Sequence, residues 1–323
     1  MDVYVMVGNV GDIEDLRAST LRWEALGVAG ILVTDHLFFS PEPGEDAVVR
    51  PPDPVVVLSA LGALSERMVI GSVVANVGLL HPALLIRHFA QLAALYGGQR
   101  VLAGLGAGWN GEEFAALGTT MPSHGARLDR LAETCQLWHQ LFREGAGSIE
   151  GKEVVVRDLP TAPVPAQPPR LMLGGGSPRL LEMAGKWADH IDLNATSRAK
   201  PLPRLPSRRD DLLRKLSTTI ADVESAVEAL GAAATAAGRR PEDITRSIMA
   251  LVLSKDAHSL RAGLAETGVD PSDCAYVIPT GPEEIVPAIA ERQRRFGLSV
   301  LFVSDGPHLG DIVRAAASVP GPS

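Results

Sequence analysis

The chain has 323 residues, 46% of them hydrophobic, and a formal net charge of −8. That length buries a large core, either as one big domain or as two ordinary ones. An acidic chain with no basic stripe is a poor nucleic-acid binder, no apolar run reaches the ~18 residues of a membrane span, and the opening MDVYVMVGNV lacks the basic start and long apolar stretch of a signal peptide.

In chain order, eight strand candidates appear at residues 3–8, 30–36, 68–75, 101–108, 170–176, 190–194, 247–254 and 300–306. Several are continuous apolar runs, the pattern of strands buried on both faces of a parallel sheet. Helical patterns separate most of them. Asp12 is placed to cap a first helix that Gly27 ends. HPALLIRHFAQLAALYGG carries Pro82 near its start and Gly97–Gly98 at its end. In the next helix Leu128, Leu131, Cys135, Trp138 and Phe142 recur at three- and four-residue spacing, which makes Cys135 a core residue rather than a nucleophile. Cys274 is the only other cysteine and lies far away in sequence, so a reduced, cytoplasmic protein is expected. Ile220, Val223, Val227 and Leu230 form a further stripe, and residues 281–297 read as a helix with an acidic first turn and a basic last turn.

Eight strands alternating with helices over one domain of this length predict a (β/α)8 TIM barrel, with an open doubly wound sheet plus a second domain as the runner-up. Residues 145–169 and 195–210 interrupt the repeat as Pro-rich or basic excursions that proline keeps extended, and a further insertion covers about 255–280.

Residues 104–111, GLGAGWNG, match G-x-G-x-x-G through Gly106, Gly108 and Gly111. A dinucleotide loop belongs to a first βα turn and needs an acid at the end of the next strand, about 20 residues on. These glycines end the fourth strand candidate, and Asp129 and Glu133 at that distance lie within a helix. At a barrel mouth, Gly106, Ala107 and Gly108 would instead bring bare backbone to the active-site rim. Relief of crowding at the rim explains any one of them equally well. Gly174, Gly175, Gly176 and Ser177 end the fifth strand and open a helix, a standard anion site built of backbone N–H groups, or an ordinary turn with Ser177 as N-cap.

Five blocks in order carry a family likeness: TDHLF (34–38), HPALLIRHFAQLAALYGGQR (81–100), GLGAGWNGEEFAALG (104–118), LMLGGGSPRLLEMAGKWADHIDLN (171–194) and TGPEEIVPAIAERQRRFGLSVLFV (280–303). Together they resemble the bacterial luciferase-like family of flavin- and deazaflavin-dependent oxidoreductases, from about residue 1 to 315. The resemblance implies cofactor and substrate at the C-terminal mouth of the barrel. It places Asp35 and His36 at the reactive end of the ring, with His36 as a proton-exchanging catalyst or a binder. It aligns a strained non-prolyl cis bond with Ser72–Val73, costing roughly 3–4 kcal/mol. Ser72, Val73 and Val74 would then back the ring, and Asn76 would face its polar edge. The family's phosphate loop falls on Gly174–Ser177, and Arg127 matches a phosphate-contacting arginine, with a solvated surface role as the alternative.

The likeness has departures. Leu80 stands where many relatives have Arg. Trp109 stands where the sugar-phosphate dehydrogenase branch has Glu, which argues against that activity and leaves Trp109, with Leu37, as a substrate wall. No metal-ligand spacing appears. The leading expectation is hydride transfer between coenzyme F420 and a small organic substrate by a homodimeric enzyme. An FMN-dependent monooxygenase is the alternative, and a non-catalytic cofactor-binding or dimer-partner chain the third reading. The basic residues Arg198, Lys200, Arg204, Arg208 and Arg209 would receive the cofactor's acidic tail or form a solvated loop.

Overall fold

The computed structural model describes residues 1–41, 47–195 and 207–320. In chain order it runs β1 (Asp2–Val7), α1 (Ile13–Leu26), β2 (Gly30–Val33), α2 (Pro54–Leu64), β3 (Val69–Ser72), β4 (Ala75–Asn76), α3 (Pro82–Tyr96), β5 (Val101–Gly106), α4 (Gly111–Ala116), α5 (His124–Glu144), β6 (Ala146–Glu150), β7 (Val155–Pro160), β8 (Arg170–Gly175) and α6 (Pro178–Trp187). It continues with β9 (His190–Leu193), α7 (Arg208–Leu216), α8 (Ile220–Ala236), β10 (Thr245–Leu253), α9 (His258–Thr267), β11 (Val277–Pro279), α10 (Ile285–Phe296), β12 (Val300–Ser304) and α11 (Leu309–Ser318).

Eight parallel strands close a barrel in the order β1-β2-β3-β5-β8-β9-β10-β12, with β12 returning to β1 and β9 pairing with β10. Every one of the eight sequence-predicted strands is a barrel strand, and the (β/α)8 fold stands. Alternation along each strand splits the core in two. Val3, Val5 and Val7 of β1 point out to the helices, while Tyr4 and Met6 point in and join Leu32, Leu102, Met172, Val300 and Phe302 in a separate interior cluster. Both faces of most strands are apolar, which is why their sequences read as continuous hydrophobic runs, while β9 and β10 carry His190, Asp192 and Ser247 inward.

The helix ends follow the predicted signals. The Asp12 carboxylate accepts the backbone N–H of Glu14 and Asp15, and Gly27 takes a left-handed φ of 85°. His81 caps α3 just before Pro82. Cys135 is buried on α5 with Leu131 and Trp138, and burial pushes its thiol up to about 12, as an inert core residue requires. The helix read at 281–297 starts only at Ile285, so Glu283 and Glu284 precede it rather than forming its first turn; Arg294 and Arg295 do close it.

Two of the excursions gain structure. Residues 145–169 contain the antiparallel hairpin β6–β7, whose turn is anchored by the Glu133 carboxylate accepting the backbone N–H of Lys152, Glu153 and Val154. Residues 255–280 hold α9 and β11, which adds to β10 outside the barrel wall. Most of 195–210, including Arg198, Lys200 and Arg204, lies outside the described residues. Among the described residues, no helix is long and apolar enough to cross a membrane, and no group of His, Cys, Asp and Glu could hold a metal ion.

Candidate active site at the barrel mouth

The strand C-termini carry the predicted residues to one rim. Just past β2, the His36 ring is 17% exposed, and its Nδ1 lies 3.0 Å from Oε1 of Glu113, a fully buried side chain on α4. The same Oε1 accepts the Leu37 backbone N–H at 2.7 Å. A carboxylate oxygen only accepts, so Nδ1 is the donor in this contact and Nε2 is the nitrogen left free of it. Nε2 has no hydrogen-bond partner among the described residues. Asn110 caps α4 by accepting Glu112 N–H and donates through its amide to Phe38 O, clamping the loop after β2 to the loop after β5. Gly111 is therefore the first residue of a helix, not the start of a loop.

Sequence reasoning missed Glu113 and Phe39. The signal for Glu113 was present in NGEEF, because the third residue after an N-cap returns toward the strand ends. Phe39 packs on His36 at 4.4 Å between centroids, and Trp109 meets His36 edge-on at 5.5 Å and stacks on Phe39 at 6.2 Å. Trp109 thus stands beside His36. The Arg208 guanidinium lies 5.5 Å from the Phe39 centroid, and Arg209 pairs with Glu266 at 2.5 Å. The Leu37 side chain is 44% exposed, and it is its backbone that the site uses.

Asp35 turns the other way. Its Oδ2 accepts the Asn76 backbone N–H at 2.8 Å, tying β2 to β4. Burial raises its carboxyl above the usual range, against that hydrogen bond and the His36 charge. Asn76 is itself 5% exposed, and its side-chain oxygen is taken by Gly78 N–H. Its position at the mouth holds, but its acceptor is spent locally.

The non-prolyl cis bond is Val73–Val74, one bond later than the expected Ser72–Val73. Ser72 is still inside the sheet: its hydroxyl donates to Gly104 O, and the following N–H of Val73 donates to Val33 O. The ladder holds the chain as far as that N–H, so the chain departs from it one peptide later. Val73 and Val74 cap the interior cluster as the floor of the mouth.

The glycines build that floor. A Cβ on Gly106 would sit 2.4 Å from Val74 Cγ2, and one on Gly174 would sit 3.0 Å from Val74 Cγ1. A Cβ on Gly108, at φ 74°, would sit 2.4–2.6 Å from the Asn76 amide. The missing side chains of Gly106 and Gly108 make room for Val74 and Asn76. Ala107 lies between them, half-buried.

Gly174–Gly176 and Ser177 lead into α6. Gly176 lets the turn pass against Ala195 Cα, 2.5 Å from its would-be Cβ. Ser177 occupies the N-cap position, but its side chain makes no capping hydrogen bond, so the first-turn N–H donors stay uncommitted. The start of α5 is beside it. Arg179 of α6 donates to Gly125 O and pairs with Asp129, while burial, Arg127 and Arg179 pull the His124 imidazole down. Two helix N-termini and Arg127 therefore meet at one edge, which suits a phosphate, while the charge of Arg179 is balanced by Asp129. Arg127 is partly committed, donating to Pro122 O at 2.8 Å, while its buried Nε has no partner.

The comparisons agree with this architecture. The luciferase-like monooxygenase family model matches residues 3–206. A Microbacterium testaceum protein named F420-dependent glucose-6-phosphate dehydrogenase is 29% identical over 64% of this chain, and the match spans only 60% of that relative's length. A Nakamurella multipartita protein of the same name is 26% identical over 82% of this chain and 79% of its own. An F420-dependent secondary alcohol dehydrogenase, solved with an F420-acetone adduct, superposes with a TM-score of 0.72 at 16% identity, covering 97% of both chains; at that identity the likeness establishes the fold. With more than half of its length matched, the chain belongs to the luciferase-like monooxygenase family.

Proposed function

We propose that this protein is an F420-dependent oxidoreductase acting on a small organic substrate at the barrel mouth. The observation that carries the reading is the His36–Glu113 pair beside the Val73–Val74 floor. The choice of F420 over FMN rests on the two F420-dependent relatives. The residues present fit such a group: an apolar floor for a flat ring, and at one edge the α6 N-terminus, uncommitted among the described residues, with Arg127 for a phosphate. Bound F420 supplies a ring that gives or takes hydride.

The chain does the rest. Glu113 holds the His36 ring in one tautomer and orientation, which leaves Nε2 to take or hold a proton at the mouth. Trp109 and Phe39 keep water from that nitrogen and shape the substrate side. Trp109, standing where the sugar-phosphate dehydrogenase branch has Glu, supports a substrate other than a sugar phosphate.

Titrating the protein with oxidised F420 and, separately, with FMN tests the reading by fluorescence. F420 binding with weak or absent FMN binding is expected. Tight FMN binding without F420 binding would overturn it.

A further inference from the structure

One acid inside the barrel has no role in the site above. On β9, Ile191 and Leu193 point out to the helices, so Asp192 between them points into the barrel. The strand register sets it level with Gly174 on β8 and Ser247 on β10. Gly174 is the glycine over which Val74 packs, so Asp192 is the next inward position around the floor of the mouth. It is 5% exposed, and its one hydrogen-bond partner among the described residues is the Ser247 hydroxyl, which donates to Oδ1 at 3.2 Å. Oδ2 has no partner among the described residues.

Its surroundings are polar on one side only. His190, deeper on the same strand, is fully buried, sits 2.9 Å from the Ser247 hydroxyl and is pushed down to about 3 by burial and Arg170, so it is neutral. From α7 the Lys215 ammonium reaches over Met249, 3.5 Å from its sulfur, while pairing with Asp211 at 2.8 Å. Tyr276, just before β11, is neutral and bonded to Ala195 N and Leu193 O. Gly174 of β8 offers no side chain. Burial pushes the Asp192 carboxyl up to about 7, against the Ser247 hydrogen bond and the Lys215 charge.

We propose that Asp192 is a specificity residue of the mouth, which points into the barrel level with Gly174 and hydrogen-bonds through Oδ2 to an acceptor oxygen of the substrate, a carbonyl or a carboxylate. The neighbouring Lys215 disfavours a cationic ligand and is compatible with either oxygen. A buried donor left unmet is costly, so a substrate lacking that oxygen is rejected. The inference rests on the oxidoreductase reading for its substrate, but not for its measurement.

Infrared difference spectroscopy across pH, on the whole protein with and without F420, tests it with two probes of one shape, cyclohexanone and cyclohexanecarboxylate. The protein is expected to show a protonated-carboxyl band that disappears near pH 7 and is absent from Asp192→Asn. Either probe should shift the band and raise its midpoint, and the probe that does so names the oxygen. Asp192→Leu, which removes the donor, should weaken that probe about tenfold while leaving F420 affinity unchanged. Ser247→Ala should raise the midpoint, which keeps the test open if Asp192→Asn does not fold. A midpoint in the ordinary carboxylate range, or a band that neither probe moves with or without F420, would overturn the proposal. Failure of F420 to bind would overturn the cofactor reading instead, and the probe measurements on the free protein would still decide on Asp192.

Discussion

At the residue scale, His36 and Glu113 divide one task. His36 presents Nε2 to the mouth, and Glu113 fixes which nitrogen that is. His36→Ala is expected to lower turnover about 10²-fold or more, the range for loss of a general acid or base, with little change in F420 affinity. Glu113→Gln keeps the shape but replaces the carboxylate, and turnover should fall about tenfold, as for one hydrogen bond to a charged group. Steady-state kinetics beside fluorescence titration separates the two effects. If His36→Ala leaves turnover intact, the proton role is wrong. His36 was legible in the sequence because TDHLF ends a strand. Its partner lies 77 positions away, and no local pattern joins the two.

At the element scale, the mouth is made by strand ends that approach too closely for side chains. The loop between β3 and β4 fills the barrel top because β5 and β8 end in glycine there. Gly106→Ala places a carbon 2.4 Å from Val74 Cγ2 and must push that side chain into the ring position. The expected result is a folded protein with F420 affinity reduced about tenfold, roughly 1.4 kcal/mol, by fluorescence titration. Unchanged affinity would show that Val74 is not the floor of the cofactor site. The glycines were visible in GLGAGWNG and LGGGSPR, but their cause was not: sequence shows an absent side chain, never the neighbour that needs the space. The same holds for β6–β7, where proline signalled an extended excursion and only Glu133, packed from α5, makes it a hairpin.

At the scale of the whole molecule, buried acids set how stability follows pH. Asp192 has an ordinary value of 3.8 and a folded value of about 7. Between these, the folded state keeps a proton that the unfolded chain has lost, so the contribution of Asp192 falls as pH rises through that window, while buried His190, held down to about 3, works the other way below its ordinary 6.5. Asp35 is raised as well and acts in the same direction as Asp192. Asp192→Asn removes the larger contribution, so its Tm relative to the parent should rise from pH 5 to pH 8. A constant difference across that range would count against a protonated Asp192. Assembly belongs to this scale too. Val56 of α2 and Leu84 and Leu95 of α3 are 69%, 46% and 59% exposed, and we propose that the chain pairs with a second copy of itself. Light scattering should return twice the 34.1 kDa chain mass; a monomer at micromolar concentration would refute it.

The sequence by itself determined the barrel, because eight largely apolar strands separated by capped helices leave little choice of fold. It also placed the rim residues, since strand ends and helix starts are local signals. Only the tertiary structure decided which of them meet. The bond that departs from the sheet, the pairing of His36 with Glu113, the packing of Val74 over Gly106 and Gly174, and the inward turn of Asp192 toward Ser247 all depend on strand register around a closed barrel. Register is a relation between distant segments, fixed by packing and ladder hydrogen bonds rather than by any one segment's own pattern.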